Sequence, residues 1–232
     1  MPLNQPIKAV VFDLDNTLLD FMKMKNASVR AAVEGMISAG LPLDLDAAVA
    51  QIKAIYDQKG YELQTVFNEY LLGEIGSVDY KYLASAIVAY RRAREASLML
   101  YPRVSETLMK LAKKGLKLGV VSDAPSREAW MRLCYLNFHH LFDEVVTFDD
   151  TMAHKPDPAP FHEICKRLDV NFNETIMVGD WPERDLVGAR NVGMITAFAR
   201  YGHTGQVEQS GADYELEGIY QLVQIVDQHN RT

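Results

Sequence analysis

Ile7–Phe12 is an apolar run broken once, by Lys8, the pattern of a strand buried on both faces rather than of one that alternates. From about Met24 to Ala96 the rhythm becomes helical. Val29, Ala32, Val33, Met36 and Ile37 predict one packed face, and breaks fall at Gly40-Leu-Pro-Leu, Gly60 and Gly73–Ser77. Asp44 or Asp46 would cap the second of these helices and Asp79 the fourth. No strand is expected in this stretch. After Tyr101-Pro102 helical and apolar segments alternate. Helix 103–114 precedes the strand LKLGVVS, helix 125–136 a strand Glu144–Thr147, helix 158–168 a strand Thr175–Val178, and helix 182–192 the strand MITAFA. A short segment at Asp213–Glu215 and a helix over about 218–228 follow. Such alternation predicts right-handed βαβ units and a parallel sheet. The fold expected is therefore α/β: a doubly wound parallel sheet over 1–17 and 97–232, with an all-helical insertion over 18–96.

Composition narrows the partners. The chain has 232 residues, 24 Lys and Arg against 31 Asp and Glu, and a net charge of −7, which disfavours nucleic acid or an anionic membrane surface. A phosphorylated small molecule stays open, because local charge decides that question. The two cysteines, Cys134 and Cys165, fall in predicted helices and are expected to be inert core thiols, so a reducing, cytoplasmic setting is expected. The start of the chain lacks a signal-peptide pattern, and no apolar run approaches the ~18 residues of a membrane helix. Oligomeric state is not legible.

Chemistry concentrates where predicted strands end, which is where open parallel sheets bind ligands. Asp13 and Asp15 break the first strand in VVFDLDNT, Ser122 ends the second, Lys155 lies in HKPDP, and Asp180 and Asp185 lie in GDWPERD. A carboxylate at a strand end can attack an electrophile, and a neighbour two residues on can protonate a leaving oxygen and then activate water. Each residue also has a plainer reading. Asp15 or Thr17 could cap a turn, Ser122 could cap the following helix, Lys155 could be a solvated loop lysine, and Asp185 could favour a helix N-terminus. Electrostatics separates the two readings. Asp13, Asp15, Asp180 and Asp185 gathered together would carry four negative charges and could not all stay ionised alone. Lys155 and one divalent cation reduce that to a single negative charge, or to about zero with a proton on Asp15. Mg²⁺ suits such oxygen ligands and commonly keeps a substrate phosphate beside it.

In this order, DLDNT, Ser122, Lys155 and GDWPERD resemble the haloacid dehalogenase superfamily of aspartate-nucleophile hydrolases across almost the whole chain. The resemblance implies a core sheet of order 5-4-1-2-3 and a helical cap inserted after the first strand. It implies Asp13 as the nucleophile forming an aspartyl-phosphate, and Asp15 as general acid and base whose backbone carbonyl also ligates Mg²⁺. Ser122 and Lys155 would hold the phosphoryl oxygens, Asp180 would ligate the metal, and Asp185 would support the site. Asp123 departs from the Asn of many relatives. The carboxylate at position 15 favours a phosphatase of a small phosphorylated metabolite over a metal-independent 2-haloacid dehalogenase, since a halide needs no proton to leave. A phosphosugar mutase and a non-catalytic binding module are the remaining alternatives.

Overall fold

The apolar run at the start of the chain forms β1 (Ala9–Phe12), and every one of its residues is buried. In this computed structural model, which describes residues 5–231, β1 lies inside a six-stranded parallel sheet. The other strands are β2 (Lys117–Val121), β3 (Glu144–Val146), β4 (Thr175–Gly179), β5 (Ile195–Ala199) and β6 (Tyr214–Leu216), in the order β3-β2-β1-β4-β5-β6. The expected order 5-4-1-2-3 is contained in it, with β6 added beside β5. That strand is too short to show periodicity. It is pinned by the Asp213 carboxylate, which accepts from the Thr196 N–H and hydroxyl, both at 2.8 Å.

The chain divides into two units, one formed by the segment up to Asp20 with everything from Met99 onward, the other by Phe21–Leu98. The division falls later than position 17 because the two connecting segments pair with each other. Leu19 bridges to Leu100, and the Tyr101 N–H donates to Leu18 at 3.0 Å.

Both units contain helices. In the second, α1 (Phe21–Ser38), α2 (Leu45–Lys59), α3 (Val66–Ile75) and α4 (Tyr80–Ser97) share an apolar core. Asp44 caps α2 and Asp79 caps α4, whereas Asp46 lies in the first turn and takes Arg30 instead. Val29, Ala32, Val33 and Met36 are buried as the spacing predicts, but Ile37, on the flank of that stripe, is 36% exposed. Lys25 is buried as well. Its ammonium sits 4.0 Å over the Tyr56 ring and donates to the Tyr61 carbonyl at 2.6 Å.

In the first unit the remaining helices are α5 (Val104–Lys113), α6 (Ser126–Tyr135), α7 (Phe148–Thr151), α8 (Pro158–Leu168), α9 (Val187–Asn191) and α10 (Gln221–His229). One face of α8 packs Phe161, Ile164, Cys165 and Leu168 against Ala9, Val11, Val121 and Met177 of the sheet. Cys165 is thus the core thiol that was expected. Cys134 is not: it is exposed, because α6 turns Ala129, Arg132 and Leu133 inward. The helix expected over 182–192 starts as a wide π-type turn, Pro182–Leu186, before α9. The unexpected α7 is a single turn held by a capping box between Thr147 and Asp150. Among the described residues, no helix is long and apolar enough to cross a membrane.

Candidate active site

Parallel pairing sets the frame. Phe12 lies opposite Val120 on one side and Val178 on the other, and the Asp13 N–H continues the ladder to the Val178 carbonyl at 2.8 Å. Ser122 likewise continues β2 by donating its N–H to Val146 at 2.9 Å. Asp13, Ser122 and Asp180 therefore leave three adjacent strands at the same carboxyl edge. Lys155 reaches that edge from the loop between α7 and α8, and Asp185 from the π-type turn.

These side chains converge. Asp13, Asp180 and Asp185 are buried, and each offers an oxygen within 4.8 Å of the others. The Lys155 ammonium, its side chain only 2% exposed, lies 2.5 Å from Asp13 Oδ1, 2.7 Å from Asp185 Oδ1 and 3.1 Å from the Val121 carbonyl. The second Asp185 oxygen accepts the Trp181 N–H at 3.0 Å, which folds the carboxylate back over Gly179. A Cβ at position 179 would sit 2.4 Å from that side chain, so packing against Asp185 requires glycine there.

Burial, reinforced by Asp185 and Asp15 and opposed by Lys155, pushes the Asp13 carboxyl up to about 7. Burial, with Asp13 and Asp185 adding repulsion, pushes Asp180 up to about 9. Burial acts against the charge on Lys155, but Asp13, Asp185 and Asp123 outweigh it and hold the amine protonated. With all groups ionised, three carboxylates and one ammonium leave two negative charges, the complement of one divalent cation. An all-oxygen, buried donor set of this size suits a hard metal ion. The residues present fit one.

Asp15 is placed differently from the other acids. Its Oδ2 accepts from Arg132 Nη1 at 2.8 Å, and the Arg132 side chain is 9% exposed. Counting Asp15 as an uncompensated fourth negative charge therefore needs correction, because a buried guanidinium lies against it. Ser122 does not cap α6. Its Oγ accepts the Ala124 N–H at 3.2 Å, and the helix begins after Pro125. Asp123 ties two segments together. One oxygen accepts the Lys155 N–H at 2.9 Å, and the other pairs with Arg184, whose guanidinium lies 4.8 Å over the Trp181 ring. His154 stacks on Phe148 at 4.3 Å.

A third layer of support was not read from the sequence. Thr17 Oγ1 donates to Asp180 Oδ1 at 3.3 Å, the Tyr201 hydroxyl donates to the Thr17 carbonyl at 2.8 Å, and His203 Nδ1 lies 2.8 Å from the Asp180 carbonyl. Between them, Gly202 approaches Asn16 so closely that a Cβ would fall 1.6 Å from the Asn16 carbonyl oxygen. The only sequence signal for this turn is its position just after β5. Arg132 and Arg184 give no signal at all, since a helical or loop arginine is ordinarily solvated.

An edge this acidic, with one ammonium fixed inside it and a carboxylate aligned on the central strand, is the arrangement of a doubly wound hydrolase. Comparison with known proteins supplies the family: the family model described as haloacid dehalogenase-like hydrolase matches residues 10–199, and the chain belongs to that family. A glyceraldehyde 3-phosphate phosphatase of Methanocaldococcus jannaschii is 34% identical over 221 residues, covering 95% of this chain and 97% of the relative. A protein of the same name from Methanopyrus kandleri is 36% identical over 236 residues, with coverage of 95% and 97%. Among solved structures, a HAD phosphatase from Thermococcus onnurineus superposes with a TM-score of 0.71 at 27% identity, covering 95% of this chain and 98% of that one.

Proposed function

We propose that the protein is a Mg²⁺-dependent phosphomonoesterase acting on a small phosphate ester of the triose-phosphate class, through an aspartyl-phosphate on Asp13. The observation that carries this reading is the buried set of Asp13, Asp180 and Asp185 around the Lys155 ammonium, which matches a divalent ion and a phosphoryl group together. The relatives named glyceraldehyde 3-phosphate phosphatase support the substrate class. The helical unit Phe21–Leu98 would be the cap domain of the family.

Asp13 attacks phosphorus in line and the bond to the ester oxygen breaks. Asp15 gives its proton to that oxygen, and the alcohol leaves. Asp15 then takes a proton from water, whose oxygen attacks the same phosphorus and returns Asp13 to a carboxylate. Lys155 and Ser122 hold the equatorial oxygens, where charge accumulates in the transition state. Asp185 acts through Lys155, accepting from the same ammonium that pairs with Asp13. A divalent ion held by Asp13, Asp180 and the Asp15 carbonyl supplies, when bound, the positive charge that favours the ionised carboxylates and polarises the phosphoryl group.

The test is phosphate release from glyceraldehyde 3-phosphate and a panel of sugar and organic-acid phosphates, with Mg²⁺ and with chelator. Asp13→Asn should abolish turnover of every active substrate without loss of fold. Undiminished turnover by that variant, or chloride release from 2-chloropropionate by the native protein without metal, would overturn the reading.

A further inference from the structure

We infer that Arg132 is the positioning residue of the general acid, a role that rests on the reading of Asp15 given above. The buried side of α6 comprises Glu128, Ala129, Arg132 and Leu133. For packing alone, an aliphatic residue at 132 would serve better, because a buried guanidinium costs desolvation unless a charge partner meets it. Among the partners it meets is Asp15, 117 residues away in the chain, at 2.8 Å. The bond engages one oxygen, Oδ2, and so fixes the plane in which the other oxygen of Asp15 lies. That plane decides whether a proton can pass from the carboxyl to the ester oxygen as the phosphorus–oxygen bond breaks. The proton leaves Asp15, the alcohol oxygen keeps the bonding pair, and Arg132 itself exchanges nothing.

A positioning role and a purely structural one differ in what they do to different leaving groups. An alkoxide needs the proton of Asp15, whereas dinitrophenolate departs without it. Moreover, kcat/KM reports only the steps up to departure of the alcohol. The experiment compares kcat/KM for glycerol phosphate and for 2,4-dinitrophenyl phosphate in R132A, R132K and D15N, each at saturating Mg²⁺ and with folding checked by circular dichroism. R132A should lose roughly 10- to 100-fold on the alkyl ester and less than about threefold on the aryl ester. R132K should fall between R132A and the native protein, since an ammonium restores charge but not the planar fork, and it carries the comparison if R132A does not fold. Equal losses on both esters, or no loss on either, would overturn the inference. D15N separates the layers. If D15N discriminates between the esters and the Arg132 variants do not, only the Arg132 inference falls. If D15N itself does not discriminate, the general-acid reading falls and takes this inference with it.

Discussion

Replacing Lys155 by methionine keeps most of the stem and removes the ammonium that pairs with Asp13 and Asp185. The ammonium lies 2.5 Å from Asp13 and 2.7 Å from Asp185, with side chains 2%, 11% and 3% exposed, so the loss strands two carboxylates that solvent hardly reaches. Breaking a buried pair by removing one partner costs about 3–5 kcal/mol. For a protein of this size, about 2–4 °C of melting temperature goes with each kcal/mol, giving a drop of roughly 6–20 °C in metal-free buffer near neutral pH. The assay is a tryptophan-fluorescence melt with chelator, because Trp130 and Trp181 both lie in the unit that holds the site. The deficit of Lys155→Met should shrink in mildly acidic buffer, where the stranded carboxylates can take up protons instead of remaining unpaired anions. Added Mg²⁺ should recover part of it. A drop under about 2 °C in metal-free buffer at neutral pH would refute the claim that Lys155 is the counter-charge of the cluster.

Titration of the metal-free protein supplies a second prediction. Asp13 and Asp180 stand at about 7 and about 9 against an ordinary value of 3.8, so the folded chain holds protons that the unfolded chain has lost. The stability they contribute is fully present below about pH 4 and is lost as pH rises through those two values, so the chelated protein should melt lower at about pH 9 than at about pH 6. Mg²⁺ should raise the melting temperature more at the higher pH; an equal gain at both would contradict the assignment. Gly202→Ala would place a Cβ 1.6 Å from the Asn16 carbonyl, forcing the turn and the Asp13–Thr17 loop apart. A misplacement of about 1 Å can cost on the order of 100-fold in turnover, and steady-state kinetics showing less than about a threefold fall would reject that coupling. At Asp123, urea melts should rank alanine below asparagine. Asparagine keeps an acceptor for the buried Lys155 N–H, whereas alanine orphans it at a cost of about 1–3 kcal/mol. The Arg184 ion pair, partly solvated, adds about 1 kcal/mol or less to either loss. Equal losses in the two variants would show that the ion pair, not the N–H, matters.

Much of this architecture is written in local patterns, and the unread remainder is of one kind. β1 was legible because burial on both faces leaves an unbroken apolar run, and the starts of α2 and α4 were legible because Asp44 and Asp79 accept from backbone N–H groups two or three residues on. Both are local signals. The pairing of the short segment near 213–215 as β6, and the π-type turn, were not, since their cause is a distant partner: Asp213 reaching Thr196, and Asp185 reaching Lys155. The site divides the same way. Strand ends pointed to Asp13, Ser122, Asp180 and Lys155, and counting their charges pointed to a cation. Charge counting left Asp15 to be balanced only by a proton, because nothing in Arg-Glu-Ala-Trp-Met-Arg marks its last arginine as buried. The pairing of residues 15 and 132 exists only in three dimensions.

The proposed mechanism requires that the Asp13 carboxylate become phosphorylated. A single turnover of phosphate-labelled substrate, quenched in acid and reduced with borohydride, converts an aspartyl-phosphate into homoserine, which peptide sequencing can locate. Asp15→Asn should be used in parallel to slow the second half-reaction. Homoserine should appear at position 13 and nowhere else; label lost with no homoserine, or homoserine at any other aspartate, would rule out an aspartyl-phosphate on Asp13.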